Sequence, residues 1–267
     1  MTWIFEDNQP ASIADRDLLV DYLSVKLIEA EGHFKEALQD DEGLAWRYPA
    51  FAVRRFSSHP TLVEKLRLLC QCRGTNENDV ERNYQNQLVE FHALYALTAL
   101  MGYQFMGWDM PSGKPTADPG KNCDLALMKE GEEVFADAKD CSSEILTKYQ
   151  VEHEIAGEIK CVTHYTPKVE LVGWLAGLIN GAGKKGADVI VCHVPAWGLE
   201  GFDSRRLREY LNSILPGVLM WSEQGPRWRV ASSSVTQVVI VKRMGCLTIQ
   251  LDAEEGASRI LSAARLY

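Results

Sequence analysis

The stretch KNCDLALMKEGEEVFADAKD, residues 121–140, decides the fold of this chain. Apolar residues alternate with polar ones in two short runs, and this alternation predicts two strands, Cys123–Met128 and Glu132–Lys139. The residues between them, Lys129-Glu130-Gly131, predict a tight turn. The stretch is therefore expected to form a β-hairpin.

The turn fixes which residues face each other across the hairpin. If Glu130 and Gly131 are the two turn residues, the numbers of paired residues add up to 261, and Asp124 lies directly opposite Asp137. Like charges at directly opposed positions repel each other. Two carboxylates placed there need a chemical reason.

A divalent cation supplies such a reason. Mg²⁺ is usually held by one or two carboxylates together with water and substrate phosphate, and this suits a pair of facing aspartates. Lys139 is two residues beyond Asp137, so both side chains point to the same face of the strand. An ammonium group there can position a water molecule and neutralise a phosphate under attack. These three side chains predict a centre that cleaves phosphodiesters.

These residues resemble the PD-(D/E)XK, or restriction-endonuclease-like, nuclease superfamily. The resemblance rests on Asp124 at the start of one strand and on Asp137-Ala138-Lys139 at the end of the next, after the apolar Val134-Phe135-Ala136. Glu90, on a preceding helix, matches the acidic residue that the family often adds. Cys123 departs from the pattern, because the family has a proline before the first aspartate.

The resemblance implies a metal-dependent DNA endonuclease. Asp124 and Asp137 would bind Mg²⁺, or Mn²⁺ in its place, with Glu90 as a further carboxylate ligand and the backbone carbonyl of Ala138 as another. Lys139 would position the water that attacks phosphorus, and the products would carry 5′-phosphate and 3′-hydroxyl ends. The catalytic set implied in this way is Asp124, Asp137, Lys139 and Glu90.

The resemblance also implies a biological setting. Small nucleases of this superfamily serve restriction, DNA repair or antiphage defence, commonly with a helicase or ATPase partner, and this chain resembles the nuclease subunit of a Hachiman-type helicase–nuclease pair. The segment from Gly181 to Gly186, GAGKKG, is not a P-loop, because the first glycine is missing and Lys185 replaces Ser or Thr. An ATP-driven step would therefore belong to the partner.

The order of predicted elements favours a mixed α/β fold. A helix over 79–101, a strand over 103–108, the two hairpin strands, a helix over 169–182 and a strand over 187–194 follow one another, and this is the αβββαβ core order of the resembled family. A helix over 204–215 and a strand over 236–242 would extend it. We expect a helical N-terminal region over 1–78, with Ser12 or Asp15 as a helix cap, and a nuclease-like domain over 79–267.

Glu90 has two interpretations. It lies on the apolar stripe of its helix with Gln87, Leu94, Leu97 and Met101, and a carboxylate turned toward a core is costly unless it is paired. The partner is either a metal ion or a basic side chain at the margin of the stripe.

The charge distribution gives limited support to DNA binding. The net charge of −9 disfavours contacts with phosphate, yet residues 171–267 carry 11 Lys and Arg against 8 Asp and Glu. Five residues of this part form the candidate nucleic-acid surface: Lys184, Lys185, Arg205, Arg206 and Arg208. A solvated helix face is the alternative explanation of the arginines.

Composition bounds the location. The first ten residues lack the pattern of a secretory signal, and no run of about 18 apolar residues occurs, so a cytoplasmic protein without a membrane span is expected. The seven cysteines include no C-x-x-C pair, and reduced thiols without zinc are expected.

Several alternatives stay open. Glu158-Ile159-Lys160 is a competing E-x-K motif, which we rank below Asp137 because it lies far along the chain from Asp124. Taken singly, an Asp at a strand end or a nearby Lys is more often an ordinary turn or surface residue. A nucleic-acid-binding or assembly subunit that does not cleave is the second hypothesis, and RNA in place of DNA is the third.

Overall fold

The computed structural model of the protein describes residues 2–5, 11–41, 43, 45–115, 117–140, 146–155, 158–167, 178–179, 181–193, 234–242, 245–253 and 259–261. The helices are α1 (Ile13–Val25), α2 (Gly32–Gln39), α3 (Arg47–Phe56), α4 (Leu62–Cys70) and α5 (Glu77–Tyr95), and residues 178–179 and 181–185 are also helical. The strands are β1 (Thr2–Phe5), β2 (Gln104–Met110), β3 (Cys123–Lys129), β4 (Glu132–Asp140), β5 (Leu146–Ile155), β6 (Glu158–Pro167), β7 (Val189–His193), β8 (Gln237–Lys242), β9 (Gly245–Ala253) and β10 (Arg259–Leu261). This is the mixed α/β fold that the sequence predicts.

One mixed sheet contains eight of the described strands. Its order is β1-β9-β8-β7-β4-β3-β2, and β10 pairs with the C-terminal end of β9. Strands β2, β3 and β4 form an antiparallel meander, whereas β7 runs parallel to both β4 and β8. Strand β4 therefore lies inside the sheet, between its hairpin partner β3 and its parallel neighbour β7.

Asp188 joins three strands at the point where β7 begins. Its backbone N–H donates to the carbonyl of Phe135, its carboxylate accepts the N–H of Phe135 at 2.9 Å, and its own carbonyl accepts the N–H of Thr236 at 2.7 Å. Lys114 forms an ion pair with the same carboxylate. These contacts fix the register in which β7 lies beside β4.

Helices α1 to α5 lie on one face of the sheet. Helix α5 packs on β3, β4 and β7, and it also contacts α2, α3 and α4, so that it lies between the sheet and the other helices. The hydrophobic core is continuous between the helices and the sheet, and it includes Trp46, Phe91, Leu125, Ala136 and Val191. This core contains residues from both sides of position 78, where the sequence suggests a domain boundary.

The first helix begins with a capping box. The side chain of Ser12 accepts a hydrogen bond from the backbone of Asp15, and the carboxylate of Asp15 accepts the backbone N–H of Ser12 at 2.7 Å. Arg54 of α3 donates to the same carboxylate at 3.0 Å. The cap at Ser12 is confirmed, and it also links α1 to α3.

Several boundaries differ from the prediction. The helix expected over 79–101 spans Glu77–Tyr95, and Ala96–Leu100 continue it as a π-helical turn. Strand β1, the β5–β6 pair, β9 and β10 are not predicted at all from the sequence. The helix predicted over 204–215 and most of the one over 169–182 lie outside the described residues.

The competing E-x-K motif lies in a separate hairpin. Glu158, Ile159 and Lys160 begin β6, which pairs with β5 in a two-stranded sheet. This sheet is not hydrogen-bonded to the one that contains Asp137.

Among the described helices, none combines the length and the apolar character needed to cross a membrane.

Candidate active site

The hairpin has the register that places the two aspartates together. Every pair from Leu125 opposite Ala136 to Lys129 opposite Glu132 adds up to 261. Glu130 and Gly131 form the turn, and both have positive φ, 54° and 86°, as a type I′ turn requires. The predicted strands, turn and register are confirmed.

Backbone pairing between the two strands ends just before the aspartates. The next N–H along β4 on this side, that of Ala138, donates to Oδ2 of Asp124 at 2.7 Å. The side chain of Asp124 thus satisfies a buried donor where the ladder stops. This hydrogen bond holds the Asp124 carboxylate against β4, beside Asp137.

The two carboxylates have different electrostatic environments. Asp137 has no exposed surface, and burial, followed by repulsion from Asp124, raises its pKa to about 6. Burial acts in the same direction on Asp124, but Lys185, Asp137, Lys139 and the N–H of Ala138 outweigh it and lower its pKa. Of the two carboxylates, Asp137 is therefore the one that is easier to protonate.

Lys139 lies where the sequence predicts. Asp137 and Lys139 alternate with Ala136 and Ala138, which belong to the core shared with the helices, so the acid and the lysine share the opposite face. The ammonium nitrogen of Lys139 lies 3.2 Å from Oδ1 and 3.1 Å from Oδ2 of Asp137. Its side chain is 35% exposed, so it is within reach of a ligand from solvent.

Lys185 is the site residue whose position the sequence does not predict. Its ammonium nitrogen lies 3.1 Å from Oδ1 of Asp124, and it also bonds Oδ1 of Asp137. The carboxylates raise the pKa of Lys185 against the opposing effect of its burial. The site thus contains two aspartates bridged by Lys185 and flanked by Lys139.

The backbone at Lys185 is fixed by the loop that precedes β3. Ser112 Oγ donates to the carbonyl of Lys185 at 3.0 Å, and Cys123 Sγ donates to the same oxygen at 3.2 Å. The N–H of Asp118 donates to the carbonyl of Lys184 at 2.7 Å. These contacts aim Lys185 at the aspartates, whereas the side chain of Lys184 is exposed.

A sequence signal for Lys185 exists in the order of the elements. Lys185 ends the helical segment that leads into β7, and β7 is the parallel neighbour of β4. A lysine just before β7 therefore lies close to β4, the strand that contains Asp137. The prediction instead assigned Lys185 to a general basic surface with Lys184; Arg205, Arg206 and Arg208, the other members, lie outside the described residues.

Glu90 is engaged by a lysine inside the protein. Lys65 Nζ lies 2.5 Å from the carboxylate of Glu90 and 2.9 Å from that of Asp109, and both Lys65 and Glu90 are buried. Burial raises the pKa of Glu90; Lys65 opposes this rise, while Asp124 adds to it. Within the described residues no group of three or more His, Cys, Asp or Glu side chains could hold a metal ion. The role of Glu90 as a ligand stays a prediction.

The two aspartates still suit one Mg²⁺ ion. Oδ2 of Asp137 is buried and accepts no hydrogen bond from the described part of the chain, although the ammonium of Lys139 lies 3.1 Å away. A buried carboxylate oxygen without a donor is one that a cation can satisfy. Because Mg²⁺ is commonly held by only one or two carboxylates with water and phosphate, this donor set fits it.

Comparison of the chain with protein-family models, with curated proteins and with solved structures gives no match.

Proposed function

We propose that the protein is a metal-dependent nuclease that hydrolyses phosphodiester bonds of DNA. One observation carries this proposal: the hairpin register brings Asp124 and Asp137 together at the end of their ladder, with Lys139 on the same face as Asp137. The pairing leaves a raised pKa of about 6 on a fully buried aspartate. A buried carboxylate with a raised pKa beside specific charged partners is typical of a functional site.

The arrangement of the sheet supports the resemblance to PD-(D/E)XK nucleases. Helix α5, the meander β2-β3-β4, the helical residues 181–185 and the parallel strand β7 follow the αβββαβ order, with the β5–β6 pair inserted after β4. Strands β8, β9 and β1 extend this core beyond β7. The restriction-endonuclease-like core remains part of the proposal.

The chemistry assigns a task to each side chain. Asp124 and Asp137 would hold one Mg²⁺ or Mn²⁺ ion, and the bound ion would stabilise the negative charge that develops on the phosphate oxygens. Lys139 donates a hydrogen bond to the attacking water and orients it in line with the scissile bond. As the water oxygen bonds to phosphorus, it loses a proton to solvent; the bond to the 3′ oxygen breaks, and this oxygen takes up a proton from solvent, leaving 5′-phosphate and 3′-hydroxyl ends.

The setting remains that implied by the resemblance. We propose a role in antiphage defence, restriction or repair, with a helicase or ATPase partner that loads the DNA. The acidic net charge of −9 supports this dependence, because an acidic protein binds the phosphate backbone weakly by itself.

Cleavage assays with charge-matched variants test the proposal. Supercoiled, linear and single-stranded DNA, and RNA, would be incubated with Mg²⁺ or Mn²⁺ and with wild type, Asp137→Asn or Lys139→Met. Glu133→Gln on the same strand and Lys35→Met on α2 are the controls, because both residues are exposed. We expect metal-dependent cleavage that falls by at least ~100-fold in the two site variants and persists in the controls.

The substrate panel also decides between DNA and RNA. Cleavage of RNA alone would replace DNA as the substrate and leave the same residues in the same tasks. Equal cleavage by Asp137→Asn and wild type would overturn the assignment of the site.

A second function is favoured by the Lys185 bridge. Because Lys185 and Lys139 together balance the charges of the two aspartates, the chain is also compatible with a nucleic-acid-binding or assembly subunit that does not cleave. Binding of DNA in EDTA with no cleavage under any metal condition, also in the presence of its helicase or ATPase partner, would favour this function.

A further inference from the structure

The ammonium group of Lys185 lies where a cation would bind the aspartates. It contacts Oδ1 of both Asp124 and Asp137, at 3.1 Å in the case of Asp124. An Mg²⁺ ion binds carboxylate oxygens at about 2.0–2.1 Å and carries twice the charge. An ion on these two oxygens and the ammonium group exclude each other by contact and by repulsion.

The side chain of Lys185 can move away from the aspartates, whereas its backbone is held in place. Its carbonyl is held by Ser112 and Cys123, and the carbonyl of Lys184 is held by Asp118. The side chain is 23% exposed, and its four-carbon stem allows the ammonium group to rotate outward while the backbone stays fixed. The displaced charge then needs a partner near the mouth of the site.

A phosphate group of the substrate is the partner with the right charge. Lys139, also partly exposed, contacts the same carboxylate of Asp137, so a phosphate that approaches the aspartates meets two ammonium groups. Without a phosphate, the ammonium group of Lys185 loses its ion pairs with both carboxylates when it moves away and gains no new anion. With a phosphate present, the ammonium group exchanges one anion for another.

We propose that Lys185 is a displaceable internal cation that couples metal binding to DNA binding. In the free protein it occupies the acidic pair and keeps metal affinity low; when DNA binds, a backbone phosphate accepts its ammonium group and the metal takes its place. This inference rests on the proposed nuclease function. By linkage, the metal must raise the affinity for DNA by the same factor as DNA raises the affinity for the metal.

The test measures metal binding directly and needs no cleavage. Electron paramagnetic resonance of free Mn²⁺ gives the affinity of wild type, Lys185→Met and Asp137→Asn, with and without a short duplex containing hydrolysis-resistant phosphorothioate linkages. Lys121→Met is the charge-matched control, because Lys121 is exposed and pairs with Asp118. Circular dichroism and thermal unfolding establish that each variant is folded.

We expect Lys185→Met to bind Mn²⁺ about tenfold more tightly than wild type without DNA. We also expect DNA to tighten Mn²⁺ binding in wild type and in Lys121→Met but no longer in Lys185→Met. Lys185→Arg keeps the charge and offers two donors to the two carboxylates, so it should bind Mn²⁺ more weakly than wild type. If Lys185→Met does not fold, the Mn²⁺ affinity of Lys185→Arg still tests the inference.

The outcomes separate the inference from the proposed function. Mn²⁺ binding that requires Asp137 but is the same in Lys185→Met, Lys185→Arg and Lys121→Met would overturn the coupling role of Lys185 and leave the metal site in place. No binding that depends on Asp137 in any variant, with or without DNA, would overturn the metal site and the inference with it.

Discussion

Lys65 and Glu90 form a buried ion pair, with the lysine nitrogen 2.5 Å from the carboxylate. The pair joins α4 to α5 inside the core, and Asp109 at the end of β2 adds a second carboxylate to the same lysine. The carboxylate that the resemblance assigns to a metal thus has a cation of its own.

Removing the lysine of this pair should destabilise the protein strongly. In Lys65→Met the carboxylate of Glu90 stays buried without its cation, and the expected loss is about 3 kcal/mol in the free energy of unfolding. Urea denaturation of Lys65→Met and of Lys65→Met/Glu90→Leu measures this, and the double variant should recover most of the loss. If the double variant were as unstable as Lys65→Met, the unpaired carboxylate of Glu90 would not be the cause of the lost stability.

The same pair predicts how Glu90 behaves toward metal. Since the carboxylate is engaged by Lys65, Glu90→Gln should lower stability and leave Mn²⁺ binding at Asp124 and Asp137 close to that of wild type. Calorimetric titration with Mn²⁺ measures the affinity, with Asp137→Asn as the reference for a lost ligand. A loss in Glu90→Gln as large as in Asp137→Asn would restore Glu90 to the ligand set.

Stability should fall below pH 6.5 because of His92. This residue is buried on α5, stacked on Tyr48 with ring centroids 4.0 Å apart and facing His193, which is paired with Asp140. Burial, and then the charge of His193, lower the pKa of His92 well below 6.5. The unfolded chain therefore binds the proton first as the pH falls, so the free energy of unfolding decreases by up to ~1.4 kcal/mol per pH unit from this group.

Urea denaturation between pH 8 and pH 5 checks this expectation. His92→Phe keeps an aromatic ring against Tyr48 but cannot be protonated, so its stability should depend less on pH than that of wild type. Tyr48→Phe, which alters the other ring of the stack, should keep the dependence of wild type. Equal slopes for His92→Phe and wild type would show that other groups cause the acid sensitivity.

The hairpin turn should respond to its backbone angles alone. Gly131 has a φ of 86°, and a Cβ added there meets no atom within 4 Å, so Gly131→Ala should cost about 1 kcal/mol through strain. Gly181 is the matched control: it is helical, and a Cβ there also meets open space, so Gly181→Ala should be neutral or stabilising. Glu130→Asn should stabilise the turn, because Asn tolerates positive φ. Thermal unfolding ranks the three variants.

Gly186 should tolerate no side chain, for a different reason. Its φ is +77°, and an added Cβ would lie 2.0 Å from Ser112 Oγ, the group that holds the carbonyl of Lys185. Gly186→Ala should therefore cost more stability than Gly131→Ala and should also disturb Mn²⁺ binding. In Gly186→Ala/Ser112→Gly the clash with Ser112 is removed, but the contact with Ala117 Cβ at 3.1 Å and the strained backbone angle remain, so only part of the stability should return.

Local patterns predicted the part of the site that forms within one hairpin. Alternation gave strands β3 and β4, and a two-residue turn at Glu130 and Gly131 sufficed to place Asp124 opposite Asp137. Which residues face each other across the hairpin depends only on how many residues separate them from the turn. Nothing distant in sequence is required for it.

Relations between distant segments were not accessible in this way. Lys185 reaches the aspartates because β7 lies parallel to β4, and Lys65 reaches Glu90 because α4 packs on α5. Both depend on packing that no periodicity encodes. Strand β1 was missed for a similar reason, since its pairing partner, β9, is more than 200 residues away.

The separation of these partners along the chain sets the order in which the protein assembles during synthesis. The β3–β4 hairpin closes a two-residue loop, so it can form as soon as residue 140 is available. Lys185 and β7 follow about 50 residues later, and β1 must wait for β9. On the ribosome, the acidic pair therefore has Lys139 of the same hairpin as a partner before Lys185 has been synthesised.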